Sequence, residues 1–450
     1  MSLDWLFDRL RSFGDDEAIL FGDRRHTYRD LVEAIAREGE ILDRYGIGAG
    51  DVVMLEGDFA PRSIALLLCL AARRAIIAPL APGAIIEAEA LIETCQANFV
   101  IAMGEADAVR VEKTARARAE HALYETLRGR QTPGLLIFTS GSTGKSKAVV
   151  HDFGAVFEKF IQPKQKARTL SFLLFDHIGG LNTLIQTLSA GGALIIPKDH
   201  DPETVALAVE RWKVELLPVS PTFLNLLLMS GAHERHDLRS LKVVSYGTEP
   251  MPETTLRRAT EALPWARFHQ LYGLSEMGIL RSKVRDQKGL WVQVGGEGVQ
   301  TRIADGMLEI KARSAMLGYL NAPSPFTEDG WLKTGDEVEV DGEWIRIKGR
   351  RSEMINVGGQ KVFPAEVENV IAEMENIQDV VVFGEAHPMM GHVVACRVNL
   401  VHEEEPRALR ARIRKHCGEH LASFKVPVKV EITTEALYSA RMKRVRPKGP

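Results

Sequence analysis

Cysteine is scarce in this chain of 450 residues, and its four cysteines, Cys69, Cys95, Cys396 and Cys417, include no Cys-x-x-Cys pair. A disulfide-stapled secreted domain and a cysteine-based metal site are therefore both disfavoured. The first fifteen residues also lack the uninterrupted apolar core of a signal peptide. Together these absences predict a cytoplasmic protein with reduced thiols.

Long hydrophobic runs are absent as well. The longest stretch without a charged residue, 178–197, contains four glycines together with Asn182 and Gln186. This composition disfavours a membrane span and predicts a buried strand, turn and helix. Neither charge is in excess, because 57 Lys and Arg stand against 60 Asp and Glu. We therefore expect neither nucleic-acid binding nor attachment to a membrane.

Short apolar runs that alternate with helical patterns are the main feature that is present. Runs such as 135–138 and 193–196 alternate with stretches of helical periodicity, which predicts an α/β fold with largely parallel sheets. After about Gly306 the pattern changes to short strands, and Asp341-Gly342 predicts the turn of a β-hairpin.

The last hundred residues have a pattern of their own. A predicted helix begins at Pro364, with Val367, Val370, Ile371 and Met374 on one face, and a second carries Leu409, Ile413, Cys417 and Leu421. This pattern predicts a small α+β domain at the C-terminus, after a large N-terminal domain of layered sheets and helices.

The most specific motif is a run of small, hydroxylated and basic residues after the apolar run 135–138. Glycines let consecutive backbone N–H groups converge on an anion, and hydroxyls and lysines add hydrogen bonds and charge. The predicted phosphate-binding loop consists of Thr139, Ser140, Gly141, Ser142, Thr143, Gly144, Lys145, Ser146 and Lys147. A P-loop NTPase is a weaker alternative, because Thr139 stands where that motif needs its first glycine. A surface turn is the other.

This loop resembles the signature of the acyl-adenylate-forming superfamily, which includes acyl- and aryl-CoA ligases, luciferases and peptide-synthetase adenylation domains. Further motifs follow in the family's order: Gly247-Thr248-Glu249-Pro250, Tyr272-Gly273-Leu274-Ser275-Glu276, Trp331-Leu332-Lys333-Thr334-Gly335-Asp336, Gly349-Arg350, 358–368 and Lys443-Arg444-Val445-Arg446. The resemblance implies an ATP- and acid-binding N-terminal domain over residues 1–351 and a mobile C-terminal domain over residues 352–450. It also implies activation of a carboxylic acid as acyl-AMP, with release of pyrophosphate, and transfer of the acyl group to a thiol.

The resemblance gives each motif a role. The implied ATP- and AMP-binding residues are Thr139, Ser140, Gly141, Ser142, Thr143, Gly144, Gly247, Thr248, Glu249, Pro250, Tyr272, Gly273, Ser275, Asp336 and Arg350. The implied catalytic residues are Lys443, Glu276 and Lys147. Tyr272 offers a flat face for adenine, Asp336 can accept hydrogen bonds from the ribose hydroxyls, and Glu276 is a hard oxygen ligand suited to Mg²⁺. The implied hinge is Ser352, and the thiol-acceptor region contains Gly358 and Gly359.

Several residues depart from the family pattern. Ser146, Ala148, Thr248 and Ser275 replace Pro, Gly, Gly and Thr of the family, and we expect these small residues to preserve the backbone of the site. Met442 stands where the family has glycine before the catalytic lysine, so we expect an altered backbone there. A basic, solvated chain end is the alternative interpretation of this segment.

The acyl-pocket candidates are Asp176, His177 and Gly180. The segment from His177 resembles fatty- and aryl-acid CoA ligases, whereas Asp176 aligns with the aspartate that binds the α-amino group in amino-acid-activating domains. A carboxylate beside a neutral acyl chain costs free energy unless it is paired. We therefore favour an acyl or aryl acid over an amino acid. His177 as a gating or core residue is a further alternative.

The expected cofactors are ATP and Mg²⁺. The expected acceptor is the thiol of CoA or the phosphopantetheine of a carrier protein on a separate chain. A non-catalytic nucleotide-binding relative is the alternative from another functional class.

Overall fold

The computed structural model describes residues 3–82, 88–104, 108–139, 146–287, 289–439 and 444–447. Within these ranges the chain forms helices and five β-sheets. None of the helices in the described ranges combines the length and apolar character that crossing a membrane requires.

The helices occur throughout the chain. They are α1 (Asp4–Ser12), α2 (Tyr28–Tyr45), α3 (Pro61–Ala72), α4 (Ala88–Cys95), α5 (Ala122–Arg130), α6 (Phe153–Phe157), α7 (Ile178–Ser189), α8 (Pro202–Trp212), α9 (Pro221–Met229), α10 (Ala232–Arg235), α11 (Glu253–Ala262), α12 (Pro364–Ile371) and α13 (Pro406–His420). Local sequence defines their ends. The longest, α2, begins with a capping box of Thr27 and Asp30 and ends at Gly46, whose φ is 70°.

The strands alternate with these helices in the first 270 residues and dominate afterwards. They are β1 (Glu17–Phe21), β2 (Arg24–Thr27), β3 (Val52–Glu56), β4 (Ile76–Leu80), β5 (Phe99–Met103), β6 (Val109–Lys113), β7 (Gly134–Thr139), β8 (Lys147–Asp152), β9 (Arg168–Leu170), β10 (Ala193–Ile196), β11 (Leu216–Val219), β12 (Val243–Tyr246), β13 (Arg267–Gln270), β14 (Tyr272–Leu274), β15 (Gly278–Leu280), β16 (Ser282–Val284), β17 (Val292–Val294), β18 (Val299–Ala304), β19 (Met307–Ala312), β20 (Gly318–Tyr319), β21 (Leu332–Asp341), β22 (Trp344–Arg350), β23 (Ile355–Val357), β24 (Gln360–Val362), β25 (Ile377–His387), β26 (Gly391–Leu400) and β27 (Lys429–Ile432).

Two seven-stranded sheets form the centre of the large domain. Their orders are β13-β12-β11-β9-β10-β1-β2 and β20-β8-β7-β4-β3-β5-β6. Neighbouring strands are parallel inside each sheet, and antiparallel pairs occur where β2, β6, β8 and β20 join. Residues of both sheets share one apolar core with α3 and α7. The predicted α/β fold with largely parallel sheets is confirmed.

The charge-free stretch 178–197 is buried, as predicted, but its parts come in a different order. The helix α7 comes first, a turn at Gly191-Gly192 follows, and the strand β10 comes last. Because α7 lies in the core next to both sheets, a charged side chain would be costly almost anywhere along it.

Antiparallel sheets follow in the second half of the chain. Six strands pair in the order β16-β17-β22-β21-β19-β18, and β14 pairs with β15. The predicted hairpin is β21–β22, in which Asp341 pairs with Trp344 around the Asp341-Gly342 turn. Its strands extend back to Leu332 and on to Arg350, which places the open end of the hairpin beside the site described below.

The C-terminal domain has one five-stranded sheet. Strands β24, β23, β26 and β25 are antiparallel, and β27 adds in parallel to β26. The two predicted helices, α12 and α13, pack on this sheet through Val367, Ile371, Leu409, Ile413 and Cys417. Met374 joins the same core but lies beyond the end of α12, and Leu421 lies just after α13.

Candidate active site

A cavity of about 1490 Å³ lies between the large domain and the C-terminal tail. The carboxyl ends of β11, β12 and β13 border it on one side, and the ends of β21 and β22 border it on another. Residues of α12 and the tail residues Arg444 and Arg446 complete its wall. The carboxyl ends of parallel strands are the usual ligand-binding edge of an α/β sheet.

Three of the predicted nucleotide-binding side chains meet at one wall of this cavity. The Tyr272 hydroxyl donates to Asp336 Oδ2 over 2.6 Å. Asp336 and Arg350 are cross-strand neighbours in β21 and β22, and Arg350 Nε lies 3.4 Å from Asp336 Oδ1. Asp336 is only 5% exposed. Burial raises the pKa of its carboxyl, and Arg350 and the Tyr272 hydrogen bond oppose this rise.

Glu276 and Lys147 both contact a tyrosine, Tyr319, that the sequence analysis did not single out. The Tyr319 hydroxyl donates to Glu276 Oε1 over 2.6 Å, and Lys147 Nζ lies 5.1 Å from the centre of the Tyr319 ring. Strand β20, which contains Tyr319, pairs with β8 just after Lys147. A predicted acidic and a predicted basic residue are thus held at the same part of the cavity.

The predicted phosphate loop can be placed only by its two ends. Thr139 ends β7, Ser146 precedes β8, and both border the cavity. The rest of the loop, Ser140, Gly141, Ser142, Thr143, Gly144 and Lys145, lies outside the described residues. The antiparallel pairing of β7 with β8 brings the two ends together, since Thr139 pairs with Lys147.

The backbone around Glu276 is fixed by buried contacts. His151 is fully buried, and its Nε2 bonds to the Ser275 carbonyl oxygen over 2.6 Å, while Met316 N–H donates to the Glu276 carbonyl. Burial lowers the pKa of His151, which favours the neutral ring. A Cβ at Gly273 in β14 would lie 2.9 Å from the Gly278 carbonyl oxygen, so the close approach of the backbones requires a glycine here.

The segment Gly247–Pro250 follows β12 and borders the cavity. Thr248 has a φ of 75°, in the left-handed region that glycine adopts freely and a β-branched residue adopts only with strain. Thr248 thus keeps a backbone of the kind that glycine favours, at a cost in strain. A Cβ at Gly247 would lie 3.0 Å from the Leu271 carbonyl oxygen, so the backbones also approach closely here.

Glu249 connects the large domain to the tail. Its Oε1 accepts a hydrogen bond from the backbone N–H of Thr222 at the start of α9, with an N–O distance of 2.8 Å. Its Oε2 accepts one from the backbone N–H of Arg444, at 3.3 Å. Lys443, the predicted catalytic residue before Arg444, and Met442 lie outside the described residues. The contact nevertheless places the residue next to Lys443 against the predicted adenine segment.

The tail is anchored from the other side by a buried carboxylate. Arg444 Nη1 donates to Glu368 Oε2 over 2.7 Å, and Arg446 Nη2 donates to both Glu368 oxygens over 3.0 Å. Glu368 is 1% exposed, and although burial raises its pKa, the two arginines and the Val382 N–H together lower it more. Arg446 also lies 3.2 Å from Glu353. A basic, solvated chain end therefore does not describe Arg444 and Arg446.

The acid-pocket candidates have three different positions. Asp176 borders the cavity and is 6% exposed. His177 also borders it and caps α7, because its Nδ1 accepts the Gly179 N–H over 3.0 Å. Gly180 does not border it, and a Cβ there would lie 2.1 Å from the Leu174 carbonyl oxygen. Gly180 thus has a packing reason of its own to be glycine.

The predicted hinge and thiol-acceptor residues lie apart from one another. Ser352 is exposed, borders the cavity and belongs to a short turn, Arg351–Glu353, between β22 and β23. Gly358 and Gly359 form the exposed turn between β23 and β24, with φ values of 57° and 89°, and do not border the cavity.

Comparison with known protein families shows to which family the chain belongs. The model of the AMP-binding enzymes matches residues 6–306, and the model of their C-terminal domain matches residues 366–441. The chain belongs to the AMP-binding enzyme family. Its resemblance to the acyl-adenylate-forming enzymes is thereby confirmed, together with a large N-terminal and a smaller C-terminal domain.

Relatives within the family are acid–CoA ligases. The chain is 28% identical to an indoleacetate–CoA ligase of Aromatoleum aromaticum over 71% of this chain and 68% of that one. It is 26% identical to a feruloyl-CoA synthase of Amycolatopsis over 95% and 94% of the two chains. The fold matches a crystal structure of an anthranilate CoA ligase with anthranoyl-AMP, with a TM-score of 0.81 at 20% identity over 98% and 95% of the chains. The prediction of an ATP-dependent, AMP-forming acid–thiol ligase is confirmed at the level of the family.

Several cavity residues of this AMP-binding enzyme were missed by the sequence analysis. Tyr319, Asn182 and Gln270 all border the cavity. Gln270 stands two residues before Tyr272, so proximity to a motif could have indicated it. Tyr319 and Asn182 lie outside the motifs, and no local pattern distinguishes them from core residues.

Proposed function

We propose that this enzyme activates an aryl or acyl carboxylic acid with MgATP and transfers the acyl group to the thiol of CoA. The observation that carries the proposal is the convergence of separate motifs on one cavity. The Tyr272–Asp336–Arg350 group, the Glu276–Tyr319–Lys147 group and the ends of the phosphate loop border the same space as Asp176 and His177.

The proposed reaction has two steps. A carboxylate oxygen of the acid attacks the α-phosphorus of ATP, the bond to the β-phosphate oxygen breaks, and pyrophosphate leaves. The thiolate sulfur then attacks the acyl carbon, the bond to the phosphate oxygen breaks, and AMP leaves. The residues supply position and charge rather than a covalent nucleophile. Asp336 would accept hydrogen bonds from the ribose hydroxyls, and Tyr272 would pack against the adenine base. Lys147 and Arg350 would offset the negative charge of the phosphates.

Magnesium fits the phosphate end of the cavity. Glu276 offers a carboxylate whose orientation is set by the Tyr319 hydroxyl, and oxygen ligands of this kind suit Mg²⁺. When bound, the ion would neutralise phosphate charge. Among the described residues, the group of three metal-ligand side chains that lie together, His416, Glu419 and His420, is on α13 and does not border the cavity. Glu276, which does border the cavity, is therefore our candidate ligand for Mg²⁺.

Movement of the C-terminal domain would serve the second step. We place the boundary at 351/352 and the hinge at Ser352, because the strand β22 of the large domain ends at Arg350 and a short turn follows. The Glu249–Arg444 contact supports an arrangement in which Lys443 enters the cavity for adenylation. Gly358 and Gly359 lie away from the cavity here, so a rotation about Ser352 would be needed to bring them to the thiol.

The acid and the acceptor are proposed from the relatives and the pocket. The cited relatives act on indoleacetate and ferulate, which favours an aryl acid and CoA. Asp176 supports an α-amino acid as the second candidate, and a carrier-protein phosphopantetheine is the alternative acceptor. The cysteines of the described residues are free and buried, which supports a reducing, cytoplasmic location.

Acid-dependent exchange of radiolabelled pyrophosphate into ATP tests the proposal. We expect exchange that requires Mg²⁺ and an acid, and thioester formation when CoA is added. Nucleotide binding without exchange would identify a non-catalytic relative. Acid-independent phosphate release would indicate a plain ATPase. Exchange without thioester on CoA, followed by transfer to a phosphopantetheinylated carrier, would change the acceptor only.

A further inference from the structure

The last turn of α13 carries a group of side chains that can ligate a metal. His416, Glu419 and His420 each offer one ligand atom, and these atoms all lie within 4.8 Å of one another. An α-helix has about 3.6 residues per turn, so residues three and four positions apart share one face. None of these three residues borders the cavity. The group is thus separate from the site proposed for the ligase reaction.

The two histidine rings are oriented as they are in metal sites. A carbonyl oxygen only accepts hydrogen bonds, so a ring nitrogen bonded to one carries the proton. His416 Nε2 lies 3.1 Å from the Val370 carbonyl oxygen, and His420 Nδ1 lies 2.8 Å from the His416 carbonyl oxygen. These bonds leave one unprotonated nitrogen on each neutral ring, Nδ1 of His416 and Nε2 of His420. Histidines that bind metals nearly always donate their second N–H to an oxygen in this way, which fixes the tautomer and the ring.

The spacing of the side chains suits a small divalent ion. The centres of the two rings are 4.5 Å apart. Histidine nitrogens lie about 2.0–2.1 Å from Zn²⁺, so two rings on one tetrahedral ion have their ligand atoms about 3.4 Å apart and their centres about 5 Å apart. Glu419 and His420 are exposed, so small side-chain rotations bring the group to that geometry. Water would fill the remaining position on the ion.

The surrounding charges leave the group available to a cation. Glu419 has no hydrogen bond or ion pair with any residue in the part of the chain that the structure describes. Arg412, one turn earlier on α13, is held by Glu404 at 2.8 Å, which offsets its charge. Cys417 lies between the two histidines in sequence, but it is fully buried in the core of the C-terminal domain and does not join them. The donor set is therefore two imidazoles and one carboxylate.

We propose that His416, Glu419 and His420 form a binding site for a divalent transition-metal ion, with Zn²⁺ as its occupant. Imidazole nitrogens and a carboxylate oxygen suit Zn²⁺, whereas Mg²⁺ and Ca²⁺ prefer sites made of oxygen ligands alone. The site thus differs in its chemistry from the Mg²⁺ site proposed at Glu276. Because His416 also bonds to Val370 in α12, a bound ion would fix this contact between the two helices of the C-terminal domain.

Titration of the full chain with Zn²⁺ tests the proposal, after a chelator has removed metals and in the absence of nucleotide. Isothermal titration calorimetry should show saturable binding of one Zn²⁺ per chain, and an excess of Mg²⁺ should not displace it. Bound Zn²⁺ should also raise the melting temperature, because a ligand that binds only the folded state stabilises that state.

Two variants of exposed residues assign the ligands, and their exposure favours normal folding. We expect His420→Asn to weaken Zn²⁺ binding by at least about 10- to 100-fold, because loss of an outer partner of a ligand alone has an effect of that size. Glu419→Gln should weaken binding less, since its amide oxygen can still coordinate but has no charge. His402→Asn is the matched control, because His402 is an exposed histidine of the same domain outside the group. It should bind Zn²⁺ as the unmodified chain does.

The outcomes are decisive in either direction. Absence of saturable binding would overturn the proposal. Binding that His420→Asn and Glu419→Gln leave unchanged would overturn it too, because the ion would then lie elsewhere. Equal losses in His402→Asn and His420→Asn would also contradict it. These measurements require neither an acid nor ATP, so the proposed ligase activity stands or falls separately.

Discussion

At the nucleotide end of the cavity the polar side chains bond to one another, whereas at the acid end the buried Asn182 carboxamide oxygen has no hydrogen-bond partner within the described part of the chain. Tyr272, Asp336 and Arg350 form a chain of contacts before any ligand binds. Asn182 forms no contact of this kind through Oδ1 within the described residues. A preorganised end suits a ligand that is the same in every reaction of the enzyme. Changes at the first end should affect all acids equally, and changes at the second should alter which acid is used.

The largest expected effect concerns Lys443, which would serve the nucleotide end from the tail. We expect Lys443→Ala to slow adenylation by about 10²–10³, the scale of losing one preorganised donor. Thioester formation from supplied acyl-adenylate should stay near the unmodified rate, since the lysine acts in the first step. Rapid-quench assays of the two half-reactions measure this. Equal losses of rate in both half-reactions would indicate a structural role. No loss in either would indicate that Lys147 alone supplies the positive charge.

Asp336 gives the most direct test of the comparison. Asp336→Asn keeps the shape but removes the charge that accepts hydrogen bonds, and such bonds contribute about 1.5–3 kcal/mol. We expect kcat/KM for ATP to fall by about 10- to 100-fold, and by the same factor for every acid, because ATP is common to all. The matched control is Asp341→Asn, at the exposed turn of the same hairpin. A loss that depends on the acid would break the division between the two ends.

Glu249 is expected to have a smaller effect, through the position of the tail. Glu249→Ala removes the acceptor for the Arg444 N–H, so adenylation should slow by about tenfold, in line with one or two ordinary hydrogen bonds. Glu249→Gln, which keeps one acceptor, should recover part of the rate, and transfer from supplied acyl-adenylate should not slow. Glu253→Gln is the control, because Glu253 pairs with Arg346 near the same segment. A changed KM for ATP with unchanged half-reaction balance would favour a direct nucleotide contact instead.

The smallest effect is expected at Thr248 and concerns stability. A left-handed backbone destabilises an L-residue by roughly 1–2 kcal/mol, and glycine relieves this strain. The greater conformational freedom of glycine in the unfolded chain offsets about 0.5–1 kcal/mol of the gain. We therefore expect Thr248→Gly to raise the free energy of unfolding by about 0.5–1 kcal/mol in urea titrations. Thr260→Gly, in the helix α11, should lower it by about 0.3–0.5 kcal/mol, because glycine is a poorer helix former than threonine. If both variants are destabilised alike, Thr248 is not strained.

The sequence by itself determined the family, the alternation of strands and helices, and the motif residues that border the cavity. These features are local or follow in a fixed order, so spacing and residue type are enough to find them. The hairpin at Asp341-Gly342 and the helices α12 and α13 were predicted for the same reason.

Only the tertiary structure decided which partners these residues have. Glu249 receives the Arg444 N–H from 195 residues away, and Tyr319 comes to Glu276 because β20 pairs with β8. His177 caps α7, Gly180 packs against the backbone of Leu174, and Asn182 borders the cavity from an otherwise ordinary buried helix. Such contacts depend on how distant segments pack, and packing is a property of the whole core rather than of any window of sequence.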